Sequence, residues 1–245
     1  MVEVFRNAPI TEALIDIRTQ LPEGASLTHL ETLHAQIQAG YPQKQKRLML
    51  EGAVKFEEGQ EPLTTARHQV VGYLFTSVDG AQVVQFRLDG FSFSRLRPYT
   101  RWEQIYPEAK RLWDIYRTNT KPLLVNRLAT RYINSIEIPT KRFDYDDYFS
   151  AAPRIPPGLP QLLSHFFTRL VIPFPDDGAT AIVIQTPHEK PDPTKSAVIL
   201  DIDVSAEVSL ASNDAKIDEI LATLRKVKNE IFFGSITERA KDLFR

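Results

Sequence analysis

Residues 69–96, QVVGYLFTSVDGAQVVQFRLDGFSFSRL, hold the pattern that decides the predicted fold. The β-branched and aromatic residues from Gln69 to Asp79, and again from Gln82 to about Leu96, are typical of strands. Asp79-Gly80 between them favours a tight hairpin turn, which implies antiparallel pairing of the two strands. The alternation changes phase inside the second strand, and Gly90 therefore predicts a β-bulge at that point.

The elements on either side of this hairpin indicate that the chain follows one scheme twice. Each half reads as a strand, a connection that contains a helix, three further strands and a long helix. The elements that open and close the halves are a strand from Ile10 to Arg18, a helix that ends near Thr118, a strand from Leu124 to Ile138, and a helix from about Asp214 to Phe232, with Gly234 as its predicted end.

Runs of strands followed by a helix predict the α+β class, with one or more antiparallel sheets and long helices packed against them. We expect residues 1–245 to form a single compact unit. The shared element order favours a tandem duplication of a strand–helix–three-strand–helix unit, with pseudo-repeats 1–120 and 121–245. Residue-level similarity between the halves is faint, so two unrelated halves stay an open alternative.

The composition excludes several classes of protein. Thirty basic residues are matched by 31 acidic ones, and the resulting net charge of −1 argues against a nucleic-acid partner. There is no cysteine, which excludes disulfides, thiol nucleophiles and cysteine-ligated metals. No signal-peptide pattern opens the chain, and no apolar run reaches the ~20 residues that span a bilayer. We therefore expect a cytoplasmic protein without a membrane partner.

Recognised catalytic motifs are missing from the sequence. No two of the five histidines stand three or four residues apart, as a zinc-binding pair on one helix face requires. The ten glycines form neither a dinucleotide-binding nor a phosphate-binding loop, and no serine stands in a nucleophile elbow. These absences weaken an enzymatic role and predict no cofactor, while an active site built from scattered residues stays open.

Charged residues inside the predicted strands are the most informative feature for function. Asp201 and Asp203 alternate with apolar residues, so both carboxylates project from one face of the sheet. One interpretation is a metal site in which Asp201, Asp203 and Asp16 bind a divalent cation, because Mg²⁺ and Mn²⁺ prefer oxygen ligands.

A second interpretation concerns arginines on the same strands. Guanidinium groups bind phosphate and carboxylate through two parallel hydrogen bonds, so an anion pocket is predicted at Arg87, Arg127, Arg131 and Arg169. A third interpretation needs no ligand. Antiparallel sheets often keep one solvated face, on which opposite charges pair across strands, and this is the commoner fate of such residues.

Several short segments, spread from end to end of the chain, occur together in a pattern that resembles a known family. They are Asn7-Ala8-Pro9-Ile10-Thr11-Glu12-Ala13, Phe91-Ser92-Phe93-Ser94, Arg131-Tyr132-Ile133-Asn134, Leu200-Asp201-Ile202-Asp203 and Phe233-Gly234-Ser235-Ile236-Thr237. In this order they resemble a sporadically distributed family of uncharacterised bacterial proteins of about this length. The resemblance implies a prokaryotic protein, and it assigns no catalytic residues.

These observations favour a non-catalytic cytoplasmic protein with a binding or regulatory role. It would recognise a small anionic ligand or a protein partner through the charged strands. The alternative is a metal-dependent enzyme that acts on a phosphorylated or nucleotide substrate through Asp201, Asp203 and nearby arginines. A structural subunit that self-associates is a third hypothesis.

Overall fold

The computed structural model describes residues 3, 5–55, 63–99, 101–151, 153–161, 163–189, 192 and 194–245. The strands are β1 Ile10–Gln20, β2 Gln43–Lys55, β3 Leu63–Thr76, β4 Gln82–Arg87, β5 Gly90–Leu96, β6 Leu124–Ile138, β7 Thr168–Phe174, β8 Ala179–His188 and β9 Ser196–Leu210. The α-helices are α1 Leu27–Thr32, α2 His34–Ile37, α3 Trp102–Thr120, α4 Lys216–Ser235 and α5 Glu238–Asp242. No α-helix in these ranges is long and apolar enough to cross a membrane.

All nine strands belong to one sheet, with the order β2-β3-β4-β5-β1-β6-β9-β8-β7 and antiparallel pairing throughout. The first strand of each half, β1 and β6, pair with each other near the centre. Outward from β1 the neighbours are β5, β4 and β3, and outward from β6 they are β9, β8 and β7. The two halves share this succession, except that β2 adds one more strand beyond β3 in the first half. The duplication itself stays a prediction.

The predicted α+β class with long packed helices is wrong. The chain is organised around a single nine-stranded antiparallel sheet, and its strands supply more of the buried apolar side chains than its helices do. Three of the five α-helices have six residues or fewer. The prediction failed because the periodicity of the sequence identifies each strand but not the strand with which it pairs. The pairing of β1 with β6 joins the strands of the two halves into one sheet, and no local pattern indicates it.

The stretch predicted as one strand from Gln82 to Leu96 is a second hairpin. Strand β4 ends at Arg87, β5 begins at Gly90, and these two residues pair with each other across the turn. Gly90 has a φ of +146°, a backbone conformation that side-chain-bearing residues rarely adopt. The phase change that predicted a bulge therefore marks a turn, and Asp89-Gly90 is the same dipeptide that forms the first predicted hairpin.

The helices cover one face of the sheet. Helix α4 lies against β6 and β9, and α3 lies against β5. The side chains that alternate inward on β1, Ala13, Ile15 and Ile17, are all buried, which confirms the predicted period of two. Helix α4 runs through Gly234 to Ser235, so the prediction that Gly234 ends it is wrong.

Replacing Gly90 with alanine should destabilise the protein by roughly 2 kcal/mol, because alanine is strained at this φ angle and its Cβ would clash with the neighbouring strand. An added Cβ would lie 2.3 Å from the backbone oxygen of Ile17 and 2.9 Å from the Cα of Arg18. Urea unfolding measures the loss. The matched control is Gly234→Ala in α4, where nothing lies within 4 Å. The control should gain up to about 1 kcal/mol from helix propensity, and equal stabilities of the two variants would contradict the close approach at Gly90.

Candidate functional site

Six of the seven residues singled out by their charge lie together on the sheet face opposite α3 and α4. We call this surface the charged face and define it by Asp16, Arg87, Arg127, Arg131, Asp201 and Asp203. These residues occupy alternate positions on β1, β4, β6 and β9, and the strand register brings them side by side.

Asp16 is the centre of the charged face. Its Oδ2 accepts a hydrogen bond from Arg87 Nη2 at 2.7 Å, and its Oδ1 accepts one from Arg18 Nε at 3.0 Å and another from Arg127 Nη1 at 3.4 Å. Asp16 is only 5% exposed and Arg87 only 4% exposed. Arg18 and Arg87 also contact Asp89, and Arg127 lies near Asp203 and Glu207. Asp89 is more than half exposed, so Asp16 is the buried anion that the three arginines share.

Glycines give the arginines room to reach Asp16. Across the sheet, Arg47, Gly72, Arg87, Gly90, Arg18 and Arg127 follow one another in register from β2 to β6. The two strand positions that flank Arg87 therefore carry no side chain. A Cβ at Gly72 would meet the backbone oxygen of Phe86 at 2.4 Å, so the backbones also approach closely here.

The other two carboxylates of the charged face also contact arginines. Arg131 donates two hydrogen bonds to Asp201, from Nε at 2.9 Å and from Nη2 at 2.5 Å. Asp203 lies 3.6 Å from Arg127 Nη2, and its buried Oδ1 accepts no hydrogen bond from the described residues. Burial raises the pKa of Asp203, although Arg127 and Arg131 act in the opposite direction.

The structure does not bring Arg169 into this network. Arg169 lies on the edge strand β7, is exposed, and has no ion-pair partner among the described residues. Neither it nor the other predicted anion-binding arginines line any of the three pockets considered below. In the described part of the chain, no three His, Asp or Glu residues converge as metal ligands. The metal and anion interpretations of the charged face stay predictions, and its contacts favour mutual charge neutralisation.

A pocket of about 380 Å³ opens on the opposite, helix-covered side of the sheet. We call it the helix-side pocket. It is bounded by the N-terminal segment, the start of α3, one face of α4 and the end of β6. Its polar and aromatic lining residues are Glu3, Phe5, Tyr99, Arg101, Trp102, Glu103, Asn134, Arg225, Lys228, Asn229, Phe232 and Phe233. Two larger but more open hollows lie among the loops from 141 to 197 and beside the outer face of α4.

Lys228 is the unusual residue of this pocket. It is only 8% exposed, and among the described residues none accepts a hydrogen bond from its ammonium group or forms an ion pair with it. Its Nζ lies 3.7 Å from the centre of the Tyr132 ring, and this is its only cation–π contact with the described residues. Burial, together with a smaller contribution from the charge of Arg225, lowers the pKa of Lys228 to about 7.

The acidic residues of the pocket are already paired with other cations. Glu103 binds Arg225 at 3.1 Å, and Glu3 binds Arg245 at 3.0 Å. A hydrogen bond from its own backbone N–H and the charge of Arg225 lower the pKa of Glu103, so this carboxylate is ionised at neutral pH. Lys228 and Arg101 are left as the unpaired charges of the described lining, and the pocket is therefore electropositive.

Neutral hydrogen-bonding groups complete the lining. Asn134 is almost fully buried and donates its amide hydrogens to the backbone oxygens of Leu200 and Tyr132. Burial raises the pKa of Tyr99, so its phenol stays protonated. Helix α3 begins at Trp102 beside the pocket, and its N-cap residue Arg101 makes no side-chain capping bond. The positive end of the α3 dipole thus adds to the electropositive character.

The position of Lys228 in the helical repeat of α4 indicates that it faces the core. Leu221, Leu224, Lys228 and Phe232 are spaced three or four residues apart, so they share one face of α4, and all four are buried. A lysine among apolar residues at this spacing departs from the amphipathic pattern. The helix predicted from about Asp214 to Phe232 contains Lys228, but the residue was not singled out, because an isolated lysine usually extends to solvent.

Neither a comparison with protein-family models nor a search of curated proteins gives a match to this chain. The resemblance to a bacterial family accordingly stays an expectation. The candidate site is defined by its geometry: the buried amine of Lys228 and the guanidinium of Arg101, neither with an ion-pair partner in the described part of the chain, lie at an aromatic pocket.

Proposed function

We propose that this chain is a non-catalytic cytoplasmic binding protein that recognises a small anionic ligand in the helix-side pocket. The observation that carries the proposal is the unpaired Lys228 at the pocket wall. The predicted type of ligand is retained, while the proposed site moves from the strand arginines to the opposite face of the sheet.

The energetic argument starts from the cost of burying a cation. An ammonium group taken out of water without a partner is destabilised by several kilocalories per mole, which is why its pKa falls. A bound carboxylate or phosphate would supply the missing partner through a charge-assisted hydrogen bond. Arg101 and the start of α3 favour the same sign of charge on the ligand. Ligand binding would therefore relieve a cost that the free protein carries.

The aromatic residues of the pocket indicate that the ligand also has an apolar part. Phe5, Phe232 and Phe233 pack against one another with ring centres 5.4–6.5 Å apart, and Trp102 stacks on Tyr106 at 4.8 Å. Small-molecule sites commonly combine such apolar walls with a few polar groups that orient the ligand. An anionic group joined to a flat ring or a short apolar chain fits this lining.

Titration calorimetry with benzoate should detect binding that depends on Lys228. Benzoate combines a carboxylate with an aromatic ring, and benzyl alcohol serves as its neutral counterpart. Lys228→Met should abolish benzoate binding, whereas Lys226→Met, which changes an exposed lysine on the same helix, should leave it unaltered. Phenyl phosphate tests whether phosphate is preferred to carboxylate.

The pH dependence of benzoate binding provides a second readout. Because the ligand requires the protonated amine, the apparent affinity should fall tens of fold between pH 7 and pH 9, as Lys228 deprotonates above its pKa of about 7. Equal affinity for benzoate and benzyl alcohol, or unchanged binding by Lys228→Met, would overturn the proposal.

A further inference from the structure

We propose that Lys228 also binds its ligand covalently, and that the natural ligand carries a ketone or aldehyde carbonyl next to its anionic group, as a 2-oxo acid does. The amine would form a protonated imine with that carbonyl. This inference rests on the proposed function for the place where the ligand binds, and it adds the chemical class of the ligand.

The surroundings of Lys228 distinguish it from other lysines of the chain. Lys44, Lys110 and Lys241 each bind a carboxylate, and Lys226 is exposed near two carboxylates. Lys228 instead combines burial, contact with an aromatic ring and an opening to a cavity large enough for a small ligand. An amine must be uncharged to attack a carbonyl. Burial against an aromatic ring, with no carboxylate of the described residues in ion-pair contact, favours the uncharged form.

The pKa values give the fraction of each lysine that is uncharged and able to react. An exposed lysine with the ordinary pKa is uncharged in only about one molecule in 3,000 at pH 7. Lys228, with a pKa of about 7, is uncharged in about half of the molecules. The reactive form is therefore more abundant at Lys228 by about three orders of magnitude.

The reaction needs no oxidant or metal. The lone pair of Lys228 Nζ attacks the carbonyl carbon, a C–N bond forms, and the carbonyl oxygen takes up a proton. The resulting carbinolamine then loses water, whose oxygen comes from the carbonyl and whose two hydrogens come from the amine and from solvent. The product is a protonated imine that keeps one N–H. Tyr99 lines the same pocket with a protonated phenol, which would donate a proton to the oxygen and regain one from the amine.

The charges around the pocket favour a 2-oxo acid over a simple ketone. The protonated imine is a cation, and the acidic residues of the described lining are already paired with arginines. The carboxylate of the ligand itself would neutralise it, and the positive charge of Arg101 and of the start of α3 at the same pocket would favour that carboxylate as well.

Reductive trapping tests this inference directly. The full chain is incubated at pH 7 with phenylglyoxylate, which is benzoate with a ketone inserted, in the presence of sodium cyanoborohydride. Intact mass spectrometry and peptide mapping should show one reduced adduct, on Lys228, that forms at least ~10-fold faster than any adduct on another lysine. Excess benzoate should suppress it, because both compounds occupy one pocket.

Two variants separate the possible outcomes. Lys228→Arg keeps a cation in the pocket but has no amine that can form an imine, so it should bind phenylglyoxylate in calorimetry and give no trapped adduct. Lys226→Arg should behave like the unmodified protein. Phenylglyoxylate that binds without any adduct on Lys228 would overturn the covalent step and leave the proposed function standing. Adducts spread evenly over surface lysines would also overturn it, and failure of both benzoate and phenylglyoxylate to bind would remove the proposed function as well.

Discussion

Replacing Lys228 with methionine should raise the free energy of unfolding at pH 6 by several kilocalories per mole, with an upper bound of about 5 kcal/mol. Burial moves the pKa of Lys228 from the ordinary 10.5 to about 7, and each pKa unit corresponds to about 1.4 kcal/mol. Methionine has a similar length and no charge, so it removes this cost while filling the same space. A stabilising substitution at a buried position is uncommon, which makes the result diagnostic of a site kept for binding.

The gain from Lys228→Met should shrink as the pH rises. The folded-state pKa lies below the unfolded-state pKa, so between pH 7 and 10.5 the unfolded chain binds more protons and stability increases with pH. Below pH 7 both states are protonated and the full cost is present. Urea unfolding at pH 6 and pH 9 should therefore show a gain that is about 2–3 kcal/mol smaller at pH 9.

Several neighbouring charges contribute to this titration and define its controls. Arg225 on α4 lowers the pKa of Lys228, and the other charged or titratable groups of the pocket are Glu103, Glu3, Arg101 and Tyr99. Lys226→Met on the exposed side of α4 should change stability by less than about 0.5 kcal/mol at either pH. A loss of stability in Lys228→Met, or an equal gain at both pH values, would show that Lys228 is not a buried unpaired cation.

Replacing Asp16 with asparagine should destabilise the protein by roughly 3–5 kcal/mol, the largest loss that we expect from a single substitution on the charged face. Asparagine has nearly the same shape but no charge, so Arg87, which is 4% exposed, would lose its buried counter-ion and keep only the half-exposed Asp89. Arg18 and Arg127 would lose the same partner in a more exposed position. Urea unfolding at pH 7 measures the loss. Asp114→Asn is the matched control, because Asp114 forms an exposed pair with Arg117 on α3 and should contribute below about 1 kcal/mol.

A double-variant cycle isolates the buried pair. Asp16→Asn combined with Arg87→Gln removes both charges, so the double variant should lose less stability than the sum of the two single variants. Residues in direct contact commonly show couplings of about 0.5–3 kcal/mol. Additive losses, or a loss below about 1 kcal/mol for Asp16→Asn alone, would show that Asp16 does not hold the arginines as a unit.

These two substitutions assign opposite roles to two buried charges. Asp16 is surrounded by cations on the charged face, and its removal should damage the fold. Lys228 has no counter-ion among the residues that the structure describes, and its removal should strengthen the fold but abolish ligand binding. Stabilisation of the fold explains why a buried charge with opposite charges around it is present. A buried charge without such a partner costs stability, so its presence points to another role, such as ligand binding.

Most individual strands and helices could be predicted from local pattern. Strand β6 has the predicted bounds of Leu124–Ile138, and β1 and α4 differ from the predicted bounds by two or three residues. The misassignment at Gly90 arose because a turn and a bulge both break the alternation of a strand. The number of sheets was left open for a different reason, since the partner of a strand depends on contacts between distant parts of the chain.

The candidate site was predicted only in part. The charged strand residues were recognised, and their pairing with one another follows the third interpretation of the sequence. Lys228 was missed because its significance depends on which groups surround it. Tyr132 lies on β6, Arg101 precedes α3, and Lys228 is on α4, so the pocket combines segments separated by more than a hundred residues.

The amino-acid sequence by itself determined which segments form strands and helices, which face of each is apolar, and that cysteine chemistry is excluded. Those properties depend on neighbours within a few residues and on composition. Only the tertiary structure decided that β1 joins β6, that Asp16 is enclosed by arginines, and that Lys228 is buried without a partner. Whether a charge is neutralised depends on what lies within a few ångströms in space, and that distance is set by the pairing of strands and the packing of helices far apart in the chain.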